Sequence, residues 1–347
     1  MSKECVLMAD EAESVFVGID VGGTNTGAGM VDAEGRLLAT VKKRTETSDG
    51  DALVRQLAEM VRELLTIRSA KAAFPSSPET GALRAIGVGI PGFLDARRGV
   101  VRHAANLPLR DFPLADRLGA LLGAPVILDN DVRMYAYGEA AVGAAAGYDD
   151  ALVVTVGTGL AAAVVHRGRL LTGGDLAGEI GHVKVDGNEY ACGCGMSGCL
   201  ETLVSAGGIV RQAKELMRWK PSVLGEWFPE RPKAGRLQAE RSMTAEDVAK
   251  AVDLGDAVAA EVFERTGRAL GSTLAACAAL LGTDVMVIGG GVSRAGERLL
   301  SPVRRALSER LHPLHSERLK VTAARWTDEA GVIGSALAAK ARGEHTV

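Results

Sequence analysis

Two stretches of this chain share one layout. Residues 15–43 read as the strand VFVGID, the turn VGGT, the returning strand TGAGMVD, the turn AEG and a third strand RLLATVKKR. From Asp149 and Asp150 the pattern starts again as ALVVTVG, TGLAAAVVHRG and RLLTGG. A repeated strand, glycine turn, strand unit implies two similar halves, each with a turn small enough to approach an anion closely. The resemblance between the halves lies in layout and not in identity.

The segments between and after these units alternate strand with helix, which predicts an α/β architecture. Leu53, Leu57, Met60, Val61, Leu64 and Leu65 recur on one face of a helix over 51–67. A Pro/Ser-rich loop at 70–81 follows, then the strand ALRAIGVGI, the turn PGFLD, helix 113–122, strand 125–129 and helix 131–146. Further on come helices at 244–252 and 256–281, the strand DVMVIGGGV, helix 295–311, the strand LKVTAARW and a last helix from Glu329. The expected organisation is a frayed tail 1–14, an N-terminal α/β domain 15–131 completed by the terminal helix 329–343, and a C-terminal α/β domain 132–328. The second domain carries an insertion at 218–242.

Composition narrows the function classes. A length of 347 residues suits two domains, and 47% hydrophobic residues provide real cores. A net charge of −3 and 4% aromatics leave neither a basic field nor stacking platforms for nucleic acid. The apolar run Leu270 to Val292 is broken by Gly271, Gly282, Asp284 and the 289–291 glycines, so it parses as helix, turn and strand and not as a membrane span. The first residues, MSKECVLMADEAES, are too polar for a secretory leader. Clustered thiols point to a reducing cytoplasm.

Three glycine turns end strands. Asp20-Val21-Gly22-Gly23-Thr24 offers backbone N–H groups and a hydroxyl to phosphates, with Asp20 placed to hold a hydrated Mg²⁺ beside them. Thr155-Val156-Gly157-Thr158-Gly159 repeats the chemistry in the second half, and Gly289-Gly290-Gly291 follows the strand VMVI. Each alone is an ordinary turn; three in two similar halves indicate a nucleotide site. No GxxxxGK[ST] occurs and no GxGxxG opens a helix after a first strand, which argues against a P-loop or a dinucleotide fold.

Asp129-Asn130-Asp131 joins a strand directly to a helix. One aspartate there is expected to cap the helix, and the other to accept the proton of an attacking hydroxyl during phosphoryl transfer. Asn106, in the loop ANLP, adds a donor and acceptor. Gly178-Glu179-Ile180-Gly181-His182 offers Glu179 and His182 to vicinal hydroxyls.

Between residues 182 and 201, His182, Cys192, Cys194, Cys199 and Glu201 crowd into one run, while Cys5 and Cys277 stand apart. Three thiolates and an imidazole make a closed tetrahedral set of the kind that holds a structural Zn²⁺. Gly193, Gly195 and Gly198 provide the turns that let the ligands converge. His182 can ligate through one nitrogen and donate from the other, and Glu201 is held by the same loop.

Together these motifs resemble the ROK family of sugar kinases and related repressors, from IDVGGTN at 19–25 to VIGGGVS at 287–293, most specifically in GEIGHVKVD and CGCGMSGCLE. The resemblance implies a two-domain actin-like ATPase, or hexokinase-like (ribonuclease H-like), fold with a cleft between the domains. It implies Asp131 as the catalytic base, with Asn106, Asn130, Asp131, Glu179, His182 and Glu201 contacting the hexose. His182, Cys192, Cys194 and Cys199 match the zinc ligands. Asp20, Gly22, Gly23, Thr24, Thr158, Gly159, Gly289, Gly290 and Gly291 match the ATP-side loops. The implied activity is ATP-dependent phosphorylation of a hexose with Mg²⁺, glucose first, with N-acetylmannosamine, N-acetylglucosamine or fructose as alternatives. A homodimer is implied, with a tetramer as the alternative, and neither nucleic acid nor membrane is an expected partner. The chain departs from the family after Asp131, where Ala-Asn-Ala-Ala is replaced by Val132-Arg133-Met134-Tyr135. Arg133 and Tyr135 are expected to alter the floor of the sugar pocket or a neighbouring contact. A sugar-responsive repressor would need a helix-turn-helix module, for which the residues ahead of the first strand are too few. A sensor with a decayed ATP site would not need intact glycine turns.

Overall fold

The computed structural model describes residues 14–71, 83–104, 106–229, 241–326 and 329–344. Most of the expected tail and of the 70–81 loop lies outside them, as does the 230–240 part of the expected insertion. The contacts divide the chain into two units, one of Met1–Gly147, Ala163–Ala177 and Asp328–Val347, the other of Tyr148–Ala162 and Gly178–Thr327. Residue 131, the expected boundary, thus lies inside the first unit, because the helix that begins there packs on that unit's sheet.

In chain order the first unit contains β1 (Val15–Val21), β2 (Asn25–Asp32), β3 (Leu37–Arg44), α1 (Gly50–Lys71), β4 (Leu83–Ile90), β5 (Phe93–Asp95), β6 (Val100–Ala104), β7 (Leu109–Phe112), α2 (Leu114–Leu122), β8 (Val126–Asn130) and α3 (Asp131–Val142). Its main sheet runs β3-β2-β1-β4-β8. The three leading strands pair antiparallel, as tight turns dictate, whereas β4 and β8 join in parallel after helical crossovers. Leu53, Leu57, Met60, Val61 and Leu64 of α1 are all fully buried beside Val17, Ile19 and Ile86, so the periodicity marked a true core face. The short sheet β5-β6-β7 had no sequence signal, since three- to five-residue strands are too short to show alternation.

The chain continues through β9 (Asp150–Val156), β10 (Leu160–His166), β11 (Arg169–Leu171), α4 (Glu201–Val204), α5 (Ala206–Met217), α6 (Val223–Trp227), α7 (Ala245–Asp253), α8 (Ala257–Leu281), β12 (Val285–Gly289), α9 (Glu297–Arg310), α10 (Pro313–Arg318), β13 (Lys320–Ala323) and α11 (Ala330–Glu344). The second sheet runs β11-β10-β9-β12-β13, the order of the first with each strand replaced by its counterpart. The apolar run at 270–292 is the end of α8, a left-handed Gly282 cap and β12. Among the described residues no helix is long and apolar enough to cross a membrane.

Glycine decides how closely α11 lies on the first sheet. A Cβ at Gly18 of β1 would sit 1.7 Å from the Val332 carbonyl oxygen, and one at Gly87 of β4 would sit 1.8 Å from that of Ser335. On the helix itself, a Cβ at Gly334 would meet the Met134 carbonyl of α3 at 1.8 Å. Backbone therefore rests on backbone, and Ser335 Oγ donates to the Ile19 carbonyl in the gap at 3.2 Å. Gly87→Ala is expected to destabilise the chain by about 1–3 kcal/mol through overpacking. A lowered denaturation midpoint against wild type would show it, and an unchanged midpoint would contradict this packing.

Candidate active site and metal centre

The strand β8 runs straight into α3, and three successive residues divide the work at the junction. Asn130 Oδ1 accepts from the Val132 and Arg133 amides at 3.0 and 3.2 Å, so the helix cap is the asparagine and neither aspartate. Asp129 is 2% exposed and takes ion pairs, from Arg133 Nε at 2.5 Å and from Arg342 of α11 at 3.3 Å. Asp131 opens the helix half-buried, its Oδ1 accepting from the Val132 amide at 3.0 Å. The cap thus falls to Asn130, and the Arg133 and Arg342 ion pairs to Asp129. Arg133 is 4% exposed and its second arm reaches Asp175 at 3.2 Å. Breaking one partner of such a buried pair costs about 3–5 kcal/mol, because the remaining charge is left without compensation. Tyr135 is also buried, in the same helix.

In the same unit the first glycine turn is closed by the Gly22 amide donating to the Asn25 carbonyl at 3.0 Å and by Thr45 Oγ1 donating to the Gly22 carbonyl at 2.7 Å. Gly23, Thr24 and Asn106 are exposed, and a Cβ on Gly23 would lie 3.6 Å from that of Asn106. The Asp20 carboxylate faces the first turn of α11, where a Cβ at Gly331 would approach it to 2.8 Å.

The second unit brings two glycine turns side by side. Gly157–Gly159 follows β9 and Gly289–Gly291 ends the neighbouring parallel strand β12, with a Cβ on Gly157 only 3.9 Å from the Gly291 amide nitrogen. Gly290 adopts φ +82°, and a Cβ there would strike the Val156 carbonyl at 2.6 Å. Gly157, Thr158 and Gly291 line a cavity of about 680 Å³. Its apolar wall includes Ala245, Ala249, Phe263, Val292 and Ala295, and its charged rim includes Glu246, Lys250, Arg294 and Arg298. Glycine amides at one end, an apolar slot and mixed charges suit a nucleotide. The α7 and Arg residues were not foreseen, since nothing separates them in sequence from ordinary solvent-facing charges.

Thr244 and Asp247 close a reciprocal cap at the start of α7. The buried Asp247 carboxylate also accepts both arms of Arg241, at 2.6 and 2.7 Å, and these bonds hold it far below the usual carboxylate range.

The Cys/His run folds into one cluster. The ligand atoms of His182, Cys192, Cys194 and Cys199 all lie within 4.8 Å of one another. Cys194 and Cys199 sulfurs are 3.6 Å apart, and Cys192 Sγ is 3.8 Å from His182 Nδ1. A tetrahedron with metal–sulfur bonds of about 2.3 Å has edges of about 3.8 Å, so the set fits a tetrahedral metal. His182 Nε2 lies on the other side of the ring, 3.8 Å from Glu179 Oε2. Burial and the adjacent thiols push Cys199 up to about 12, whereas amide donation at Met196 lowers Cys194. Three thiolates at this spacing need a cation to share.

Glu201 ties this cluster to the phosphate-sized turn. One carboxylate oxygen accepts from the Leu160 amide at 3.0 Å, and the other lies 3.9 Å from Cys192 Sγ. A Cβ on Gly159 would approach that carboxylate to 2.8 Å. The Ala206 amide donates to the Gly157 carbonyl at 2.8 Å, so the helix pair after Glu201 clamps the turn from both ends.

Asp247→Ala should loosen the cavity wall, raising the KM for nucleotide several-fold and costing about 1 kcal/mol of stability. The sign with pH follows from a lowered carboxyl: the Asp247 contribution is fully present above about pH 4 and declines as acid protonates it. The stability gap between wild type and Asp247→Asn should therefore narrow progressively as the pH falls below about 4.

The comparisons with known proteins agree in direction. The ROK family profile matches residues 16–342. The glucokinase of Halalkalibacterium halodurans is 36% identical, over 92% of this chain and 93% of its own length. A ROK glucokinase from Streptomyces griseus, solved with glucose and AMPPNP, superposes with a TM-score of 0.74 at 31% identity, over 94% of this chain and all of that one. The ROK hexokinase of Thermus thermophilus gives 0.74 at 32%, over 95% and 99%. With the strand order repeated in both sheets and the Cys/His cluster assembled, the chain belongs to the ROK family and has its two-domain actin-like sugar-kinase fold.

Proposed function

We propose that this protein is an ATP-dependent glucokinase, transferring the γ-phosphoryl group of ATP to the 6-hydroxyl of glucose. The observation that carries the reading is the 680 Å³ cavity floored by two adjacent glycine turns, a nucleotide-shaped space in a chain whose relatives include glucokinases over nearly their full length. Glucose is preferred to N-acetylmannosamine, N-acetylglucosamine or fructose on the same relatives.

In the reaction, Asp131 accepts the proton of the sugar hydroxyl while its oxygen attacks the γ-phosphorus, and the bond to the bridging oxygen of ADP breaks. Asn130 keeps the helix start rigid, which supports a fixed aim for Asp131. Asn106, Asn130, Glu179, His182 and Glu201 bind and orient the sugar hydroxyls. Gly22, Gly23, Thr24, Thr158, Gly159 and Gly289–Gly291 hold the phosphates, and Asp20 would hold a hydrated Mg²⁺ that supplies charge neutralisation beside them. Zinc, when held by His182, Cys192, Cys194 and Cys199, supplies rigidity alone, since four protein ligands leave no position for chemistry. His182 then meets the metal through Nδ1 and presents Nε2 to the sugar. Reduced thiols accord with a cytoplasmic enzyme, and we extend the reading to a homodimer on family resemblance.

Assays of ADP release across hexoses and N-acetylhexosamines should give the highest kcat/KM with glucose. Asp131→Ala should lower kcat by roughly 10²–10⁴-fold while glucose binding survives in part; retention of most of kcat would remove the base from Asp131. Elemental analysis of protein purified without chelator should find about one zinc per chain. Chelation should then weaken glucose binding and lower the melting temperature together, and a zinc-free protein with unaltered glucose affinity would reject the site.

A further inference from the structure

Arg133 stands where the family pattern has asparagine, and its longer side chain does something an asparagine could not. Nε is held at 2.5 Å by Asp129 and the second arm reaches 3.2 Å to Asp175, forty-two residues along the chain. The Asp175 turn is conformationally demanding. Gly173, Gly174 and Asp175 all lie at positive φ, +52°, +67° and +69°, and Asp175 has a Cβ to accommodate there. The turn is closed by the Ala177 amide on the Thr172 carbonyl at 3.2 Å. Only Leu176 and Ala177 separate Asp175 from Gly178. That glycine is itself fixed, its carbonyl accepting from the Ala162 amide at 2.8 Å and its α-carbon lacking any room for a Cβ. Glu179 is the next residue, and its carbonyl accepts from the His182 amide at 3.2 Å.

We propose that Arg133 is a positioning residue for sugar binding, its guanidinium bridging Asp129 at the start of the Asp131 helix to Asp175 in the turn that leads into Glu179 and His182. This deepens the glucokinase reading and rests on it. Asp175 belongs to the same compact unit as Asp129 and Arg133, and along the chain it stands four residues before Glu179. Asp175 and Gly178 are anchors with only two residues between them, so releasing Asp175 from Arg133 loosens the short link that leads into Glu179. The charges balance within the network: Arg133 and Arg342 face Asp129 and Asp175. Asp175 is 34% exposed, so its charge can be removed while the buried Asp129–Arg133 pair remains.

The test compares wild type, Asp175→Asn, Arg133→Lys and the double variant in steady-state kinetics with glucose and ATP, alongside thermal melts. Asp175→Asn is the principal variant because it leaves the buried pair intact. It should raise the KM for glucose roughly tenfold, with kcat and the KM for ATP within about twofold and the melting temperature nearly unchanged. Arg133→Lys keeps the charge but not the two-armed reach, so it should raise the glucose KM similarly, and the double variant should be no worse than either single one. A wild-type glucose KM in Asp175→Asn overturns the proposal, as does a lowered melting temperature without a change in KM, which would mark a purely structural role. A wild type that phosphorylates no hexose would instead overturn the kinase reading beneath it.

Discussion

A helix backbone resting directly on a sheet backbone is the constraint from which the first unit follows. The last helix, α11, reaches β1 and β4 because Gly18 and Gly87 present no side chain to it, and it lies close on α3 through Gly334 and Gly138. That approach puts residues more than three hundred positions apart in sequence into hydrogen-bonding contact, as Ser335 and Ile19 show. It also sets Gly331 against Asp20 and brings Arg342 to Asp129. Many of the chain's glycines thus serve packing and not phosphate, although in sequence the two uses look alike.

At the end of β8 the same closeness sorts three polar residues by task. A buried carboxylate must be neutralised, and Asp129 is, by two guanidinium groups. A helix start must have its amides satisfied, and Asn130 does that. Sequence reasoning expected one aspartate to cap and one to act, and the cap fell to the asparagine between them. Arg133, which interrupts the family pattern, turns out to be committed to a buried ion-pair network with Asp129 and Asp175.

In the second unit, rigidity is passed along a chain of short contacts. The Cys/His cluster holds the loop, Glu201 projects from its end, and the Glu201 carboxylate grips the amide after Gly159. A metal-sized cluster and a phosphate-sized turn therefore share one carboxylate. The Glu201 assignment as a sugar ligand came from family resemblance; its bond to Leu160 is visible only in three dimensions.

The α/β class, the duplicated strand layout, the α1 core face and the Cys/His cluster were legible in the sequence because each is written in local order. Periodicity, glycine turns and ligands within twenty residues need no knowledge of distant neighbours. The cavity wall from Thr244 to Lys250, Arg294 and Arg298 was not legible, because ordinary polar residues become a binding surface only when separate helices converge. The same holds for the Asp129, Arg133, Asp175 and Arg342 network, whose members carry no motif. Sequence alone determined which residues could do chemistry. Tertiary structure decided which of them are spent on capping, ion pairing and packing, because burial and partner geometry are properties of the folded neighbourhood and not of the residue.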